Sequence, residues 1–190
     1  MGYSDLMKTI HSICVYCGSS NLTKPEYLDL ATRVGAQIAL RGMRMVYGGG
    51  RVGLMGRAAE ACHKGGGAVL GIMPKFLQNR EITYEEVEHR MVDTMHERKI
   101  TMFNESDAFL VLPGGIGTLE EAIEMLSWAR LDLHSKPIVF LCEDGFWDPL
   151  FQLLDHTIDT KLTPPAFRDM LLAASTVEAA FEAIESRVAA

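Results

Sequence analysis

Leu110-Val111-Leu112-Pro113-Gly114-Gly115-Ile116-Gly117-Thr118-Leu119-Glu120-Glu121 is the stretch whose reading decides the fold. The apolar run from Ala108 to Leu112 predicts a buried strand. It breaks at Pro113 and at Gly114, Gly115 and Gly117, and a helix is expected to open at Thr118. Backbone without Cβ atoms lets a ligand approach closely and exposes N–H groups. A helix start adds partial positive charge and unpaired donors, so the junction suits a phosphate. Glu121 sits one turn in. A carboxylate is a poor phosphate ligand, so a Glu beside a phosphate cradle points to chemistry on a sugar. A plainer reading stands beside this one. Thr118 and Glu121 have the Thr-x-x-Glu spacing of a capping box, in which Glu121 only caps the helix. The three glycines favour the chemical role, because a cap requires none of them. Glu120 and Glu124 are expected to leave the helix start in other directions.

Working outward, short apolar runs alternate with helical patterns. Strands are expected at Ile10 to Tyr16, Met43 to Tyr47, Ala68 to Ile72, Glu88 to Val92, Ala108 to Leu112 and Pro137 to Cys142. Helices are expected at Pro25 to Leu40, Leu54 to His63, Thr94 to Glu105, Thr118 to Leu131, Phe146 to Thr160 and Thr176 to Val188. In the first of these, Leu28, Ala31, Val34 (or Gly35) and Ile38 recur at steps of three or four, and Gly42 follows as a stop. Unbroken apolar strands are what parallel sheets with both faces covered contain. The expected fold is α/β: a Rossmann-like, doubly wound parallel sheet flanked by helices, forming one domain over residues 1–190. Turns at Gly18 to Ser20, Gly48 to Gly50 and Gly114 to Gly117 fall at strand carboxyl ends, where such sheets bind ligands, and are expected to converge on one crevice. Gln78 to Glu86 is polar and reads as a mobile loop.

Composition narrows the function. A net charge of -7 argues against a nucleic-acid partner, which needs a basic face. No run reaches the ~20 apolar residues of a membrane span, and Met1 to Lys8 lacks the apolar core of a secretory signal. The protein is expected to be cytoplasmic. Cys14 and Cys17 have CxxC spacing but end a strand-like run, and reduced, partly buried thiols are the expected state of the four cysteines. No cluster of metal-ligating residues is evident, so no metal is expected.

Arg98 shares a helix face with Met95 and Met102. An Arg there either snorkels or is held inward for a ligand, and its planar fork suits phosphate or carboxylate. Lys99, one position round, is a solvated residue or a ligand contact; His96 reads as a surface or packing residue. Tyr47-Gly48-Gly49-Gly50 and Gly53-Leu54-Met55-Gly56 resemble a nucleotide loop weakly. The Gly-Lys-Ser/Thr ending of a triphosphate loop is absent. So is an acidic residue at the end of the second strand, which disfavours NAD.

Taken in order, Cys-Gly-Ser-Ser (17–20), Tyr-Gly-Gly-Gly (47–50), Gly-Leu-Met-Gly (53–56), Gly-Ile-Met-Pro (71–74), Met-His-Glu-Arg-Lys (95–99) and Pro-Gly-Gly-Ile-Gly-Thr-Leu-Glu-Glu (113–121) resemble the Lonely Guy (LOG) family. These are cytokinin riboside 5′-monophosphate phosphoribohydrolases, long labelled possible lysine decarboxylases. The resemblance runs from about Ile13 to Leu154. It implies a Rossmann-like fold, a homodimer, no cofactor, and cleavage of adenosine 5′-monophosphate (AMP) or its N6-prenylated forms to free base and ribose 5-phosphate. By the same resemblance Arg98 and Glu121 are the catalytic pair, and Gly114, Gly115, Gly117 and Thr118 the phosphate loop. Ser20, Met95 and Lys99 match positions around the nucleotide. Arg98 would fix the substrate or Glu121, or assist the departing base. The chain departs from the family at Arg51, where Ser is common, and at Leu22, where Gly is. Decarboxylation is disfavoured, because it calls for an electron sink such as pyridoxal phosphate on a Schiff-base Lys, and no such site surrounds Lys99. Two rival readings are a non-catalytic carrier of a nucleotide-containing cofactor such as molybdenum cofactor, and a nucleotide sensor. Neither needs both Arg98 and Glu121.

Overall fold

The structure is a computed structural model and describes residues 9–77 and 84–188. The segment Met1 to Lys8 and residues 78–83 of the polar Gln78 to Glu86 stretch lie outside the described residues.

Strands β1 (Ser12–Tyr16), β2 (Arg44–Tyr47), β3 (Val69–Pro74), β4 (Glu88–Val92), β5 (Ala108–Val111), β6 (Ile138–Leu141) and β7 (Leu172–Ala174) form one sheet. Its order is β4-β3-β2-β1-β5-β6-β7, and all neighbours pair in parallel. The chain winds outward from β1 to β4, returns to β5 on the other side of β1, and continues to β7. The Rossmann-like expectation therefore holds. Strands β1, β3, β5 and β6 are buried at every position, as parallel strands covered on both faces must be. The edge strand β4 alternates in exposure. The other edge, β7, was not expected. It is three residues long and follows a 3-10 turn at Pro165–Met170, inside the short apolar run Met170 to Ala174.

Helices α1 (Pro25–Leu40), α2 (Gly53–Lys64) and α3 (Met95–Asn104) precede β5; α4 (Ile116–Arg130), α5 (Asp148–Asp159) and α6 (Val177–Val188) follow it. Pro25 starts α1, where its missing N–H costs nothing. The buried stripe of α1 is Tyr27, Leu30, Ala31, Val34, Gly35 and Ile38; the expected Ala31, Val34, Gly35 and Ile38 lie in it, and Leu28 lies at its margin. Gly42 ends the helix with φ +66, a conformation that favours glycine.

Helices α1 and α2 share one face of the sheet and meet backbone to backbone. A Cβ at Gly35 would fall inside contact distance of the Ala58 carbonyl oxygen. Backbone atoms cannot swing aside as a side-chain tip can. The variant Gly35→Ala is therefore expected to push the two helices apart and cost about 1–3 kcal/mol. Urea denaturation should show a lower midpoint and an unchanged slope; a wild-type midpoint would mean that the helices separate freely.

Candidate active site

Helix α4 begins at Ile116, two residues earlier than expected, with Gly115 as its N-cap and no side chain capping it. The Thr118–Glu121 capping box therefore does not form. Thr118 stands inside the first turn, buried, and packs against Gly114 so closely that any Cβ there would collide with it. Gly115 and Gly117 behave differently: a Cβ on either meets only open space. The first-turn N–H groups of a helix lack intrahelical partners. Here they open onto unfilled volume, beside an Ile116 side chain that is 83% exposed.

The expected convergence of the glycine turns is present around β1. The Gly18 N–H donates to the Pro113 carbonyl (3.0 Å), joining the turn after β1 to the turn after β5. The Gly18 carbonyl accepts from Leu54 (3.0 Å) and Met55 (3.3 Å), and Asn21 Oδ1 accepts from Gly53 (2.9 Å). The start of α2 is thus already occupied by the protein, while that of α4 is not. Ser20 is exposed, touches the α2 start at Gly53, and accepts the Leu22 N–H at its Oγ (3.1 Å). Leu22 itself projects into solvent.

Helix α3 supplies the cations. Its start carries the capping box that sequence reading missed. The Thr94 hydroxyl accepts from Glu97 N–H (3.0 Å), and the Glu97 carboxylate reaches back to the Asp93 N–H (2.7 Å). The same Thr-x-x-Glu spacing was visible there. Arg98 points inward and is 7% exposed, while Met95 and His96 lie at the surface. Arg98 Nη2 donates to the Gly48 carbonyl (3.0 Å), and a Cβ at Gly48 would occupy the guanidinium's place. Gly48 is thus a glycine because Arg98 passes over it. Arg98 Nε is buried with no acceptor among the described residues, a donor that an anion or a sugar hydroxyl would satisfy.

Lys99 is neither solvated nor open to a ligand. It is 8% exposed, and its Nζ donates to Glu120 (2.5 Å) and Glu124 (3.0 Å) of α4. Both carboxylates keep it protonated despite burial. An ammonium held in this way is a poor Schiff-base nucleophile, which is a physical argument against lysine decarboxylation. The pair also fastens α3 to α4, and so Arg98 to the helix bearing Glu121.

Burial pushes Glu121 up to about 7, against the pull of the Arg98 charge; Glu120 and Glu124 raise it, and Lys99 lowers it. Its charge in turn adds to the burial that raises the thiols of Cys14 and Cys17 and the phenol of Tyr16. The carboxylate therefore stands over the end of β1. Those thiols are free, buried and protonated, so the CxxC spacing carries no redox chemistry. Among the described residues no His, Cys, Asp and Glu group is arranged to hold a metal.

Residues 55–184 match the family model described as "Possible lysine decarboxylase". The cytokinin riboside 5′-monophosphate phosphoribohydrolase LOG of Oryza sativa subsp. japonica is 46% identical over 165 residues, covering 86% of this chain and 68% of the relative. A probable enzyme of the same name in Arabidopsis thaliana is 43% identical over 178 residues, covering 93% and 89%. The chain belongs to the LOG family. Among solved structures, the molybdenum cofactor binding protein of Rippkaea orientalis superimposes with a TM-score of 0.71 at 24% identity, covering 92% of this chain and 95% of that one. The molybdenum cofactor carrier protein of Chlamydomonas reinhardtii gives 0.69 at 21%, covering 94% and 98%. At that identity the likeness establishes the fold that LOG proteins share with these carriers, and nothing about cargo.

Two outcomes are expected of this geometry. Because folding holds Glu121 protonated above its unfolded value of 4.5, the folded state loses stability as pH rises from 4.5 to about 7. In Glu121→Gln that loss is absent, so the stability difference between variant and parent should grow across this window and flatten above it. A parallel pair of pH–stability curves would count against the buried carboxyl. In Lys99→Met, the carboxylates of Glu120 and Glu124 lose their cation. The cost should be about 1–3 kcal/mol, because the ammonium is buried while its two carboxylate partners are partly exposed, and the titration of Glu121 should move upward. An unshifted titration would separate Lys99 from the site.

Proposed function

We propose that this chain hydrolyses the N-glycosidic bond of AMP or of N6-prenylated riboside 5′-monophosphates, releasing free base and ribose 5-phosphate. The observation that carries the reading is the Glu121 carboxyl, half-buried, within reach of the Arg98 charge and just past the first turn of a helix whose own start is uncapped. The curated relatives named above are phosphoribohydrolases of cytokinin riboside 5′-monophosphates, which supports the same chemistry here.

The 5′-phosphate takes the open amides from Gly115 to Thr118, turning remote binding into orientation of the sugar. Ser20, across the crevice, and Met95, at the mouth of α3, border the nucleotide. As the bond to the base lengthens, positive charge grows on the ribose ring. Ionised Glu121 stabilises that charge and takes a proton from water as its oxygen bonds to C1′. The base leaves with the bonding electrons and takes up a proton from solvent, and Glu121 returns the proton it took from water to solvent, so that one water is divided between ribose 5-phosphate and the free base. Arg98 opposes the burial of Glu121 and keeps a fraction ionised near neutrality, while Nε remains available to the substrate. Lys99 acts through α4 as a positioning residue.

Helices α3 and α4 leave Met95, Ile100, Ile116 and Ile123 exposed, and we assign these apolar side chains to a homodimer contact. The free, buried cysteines suit a reducing compartment, and we place the protein in the cytoplasm. No described helix is long and apolar enough to cross a membrane.

The experiment is to incubate the purified chain with AMP and with isopentenyladenosine 5′-monophosphate, without added metal, and to follow free base by chromatography. Base and ribose 5-phosphate should appear in equal amounts, and Glu121→Gln should lower kcat by about 100-fold or more while AMP still binds. Binding without base release by the parent would leave a nucleotide sensor or carrier. Full activity in the variant would remove Glu121 from the mechanism.

A further inference from the structure

Arg51 and Arg57 take no part in the crevice above. They line a separate cavity of about 280 Å³ against α2, on the other side of the Gly18 to Asn21 turn from Gly114. Its floor is the backbone of Gly53 and Gly56, and its remaining walls are Asn21, Glu60 and Tyr84. Among the described residues neither arginine makes an ion pair.

The groups facing this space are donors. The Arg51 guanidinium lies 5.8 Å from the centre of the Tyr84 ring, a cation–π contact that holds it in place. Tyr84 is itself fixed, buried with its hydroxyl donating to Glu86 (3.1 Å). Asn21 Oδ1 already accepts from Gly53, which leaves its amide NH2 as the group it can offer. The one carboxylate in the wall, Glu60, is engaged by Lys64 (2.5 Å). Two guanidinium forks and an amide outweigh the single Glu60 carboxylate, which Lys64 engages from outside, and form a receptor for an anion.

We propose that this cavity is a second anion site, which takes the phosphate of a small phosphomonoester of sugar-phosphate size. Its volume falls just below the ~300–1,000 Å³ of drug-sized sites, which suits a sugar phosphate better than a whole nucleotide. Its charges are separate from those of the crevice. The groups acting most strongly on Glu121 are Arg98, Glu120, Lys99 and Glu124, whereas those acting on Glu60 are Lys64, Arg57 and Arg51.

The test is a titration of the 15N-labelled full chain with inorganic phosphate and with ribose 5-phosphate at constant ionic strength. The Nε–Hε signals of Arg51 and Arg57 and the amides of Gly115 and Gly117 are followed separately. The two arginine signals should move along one saturating curve. Arg57→Met should weaken that curve at Arg51 by about tenfold or more and leave the Gly115 and Gly117 response as it was. Arg57 is exposed, so the variant should keep the dispersed spectrum of the folded parent. Arginine signals that drift linearly without saturation, or an Arg51 curve that survives Arg57→Met, would overturn the site. Neither result bears on base release from AMP, so the two proposals fail independently.

Discussion

Strands β1 and β5 lie side by side, yet the chain leaves them for opposite halves of the sheet. That divergence is the constraint on which the rest depends. Where two parallel strands send their connections apart, the sheet cannot close its own carboxyl edge, and a crevice remains. One hydrogen bond from Gly18 to Pro113 keeps the two turns in register across it. Helices α3 and α4 then bring a cation and a carboxyl to the same opening from either side of β5 in the chain. Neither residue could be placed there by local structure alone.

Adjacent residues in this frame have opposite fates, and burial cost explains why. Arg98 and Lys99 are neighbours on one turn, and both are withdrawn from water. Lys99 has its charge answered twice by carboxylates, so it is inert and structural. Arg98 is answered by a single carbonyl and keeps an unsatisfied nitrogen. Among the described residues Glu121 has no hydrogen-bonded cation of its own, and its proton is held by desolvation. An unsatisfied donor beside a carboxyl close to half-ionised at neutral pH is costly to fold, and such a cost persists where a ligand repays it.

Much of this was legible in the sequence, and the exceptions have physical causes. The strands buried on both faces spelled themselves out as apolar runs. Three-residue β7 escapes notice although it lies in the apolar run Met170 to Ala174, because so short a strand carries no period of its own. The glycine run marked the right junction, but Thr118 mimicked a cap while serving as a buried first-turn residue against Gly114. The true box at Thr94 and Glu97 had the same spacing and less conspicuous surroundings. Arg98 over Gly48 and Lys99 between Glu120 and Glu124 join residues 21 to 50 positions apart. No periodicity encodes such pairs. The family resemblance singled out the residues; their partners came only from the fold.

The backbone contact between Gly35 and Ala58 divides the molecule into two mechanically unlike layers. On the α1 and α2 face, Gly35 and Ala58 leave nothing soft between the two helices. On the α3 and α4 face, long charged side chains bridge the gaps and can change length, partner and protonation. Drift in sequence should therefore be tolerated unequally. The first layer is a stiff backplate on which even a methyl group registers, while the second is the compliant side, where new specificities can be explored without disturbing the plate.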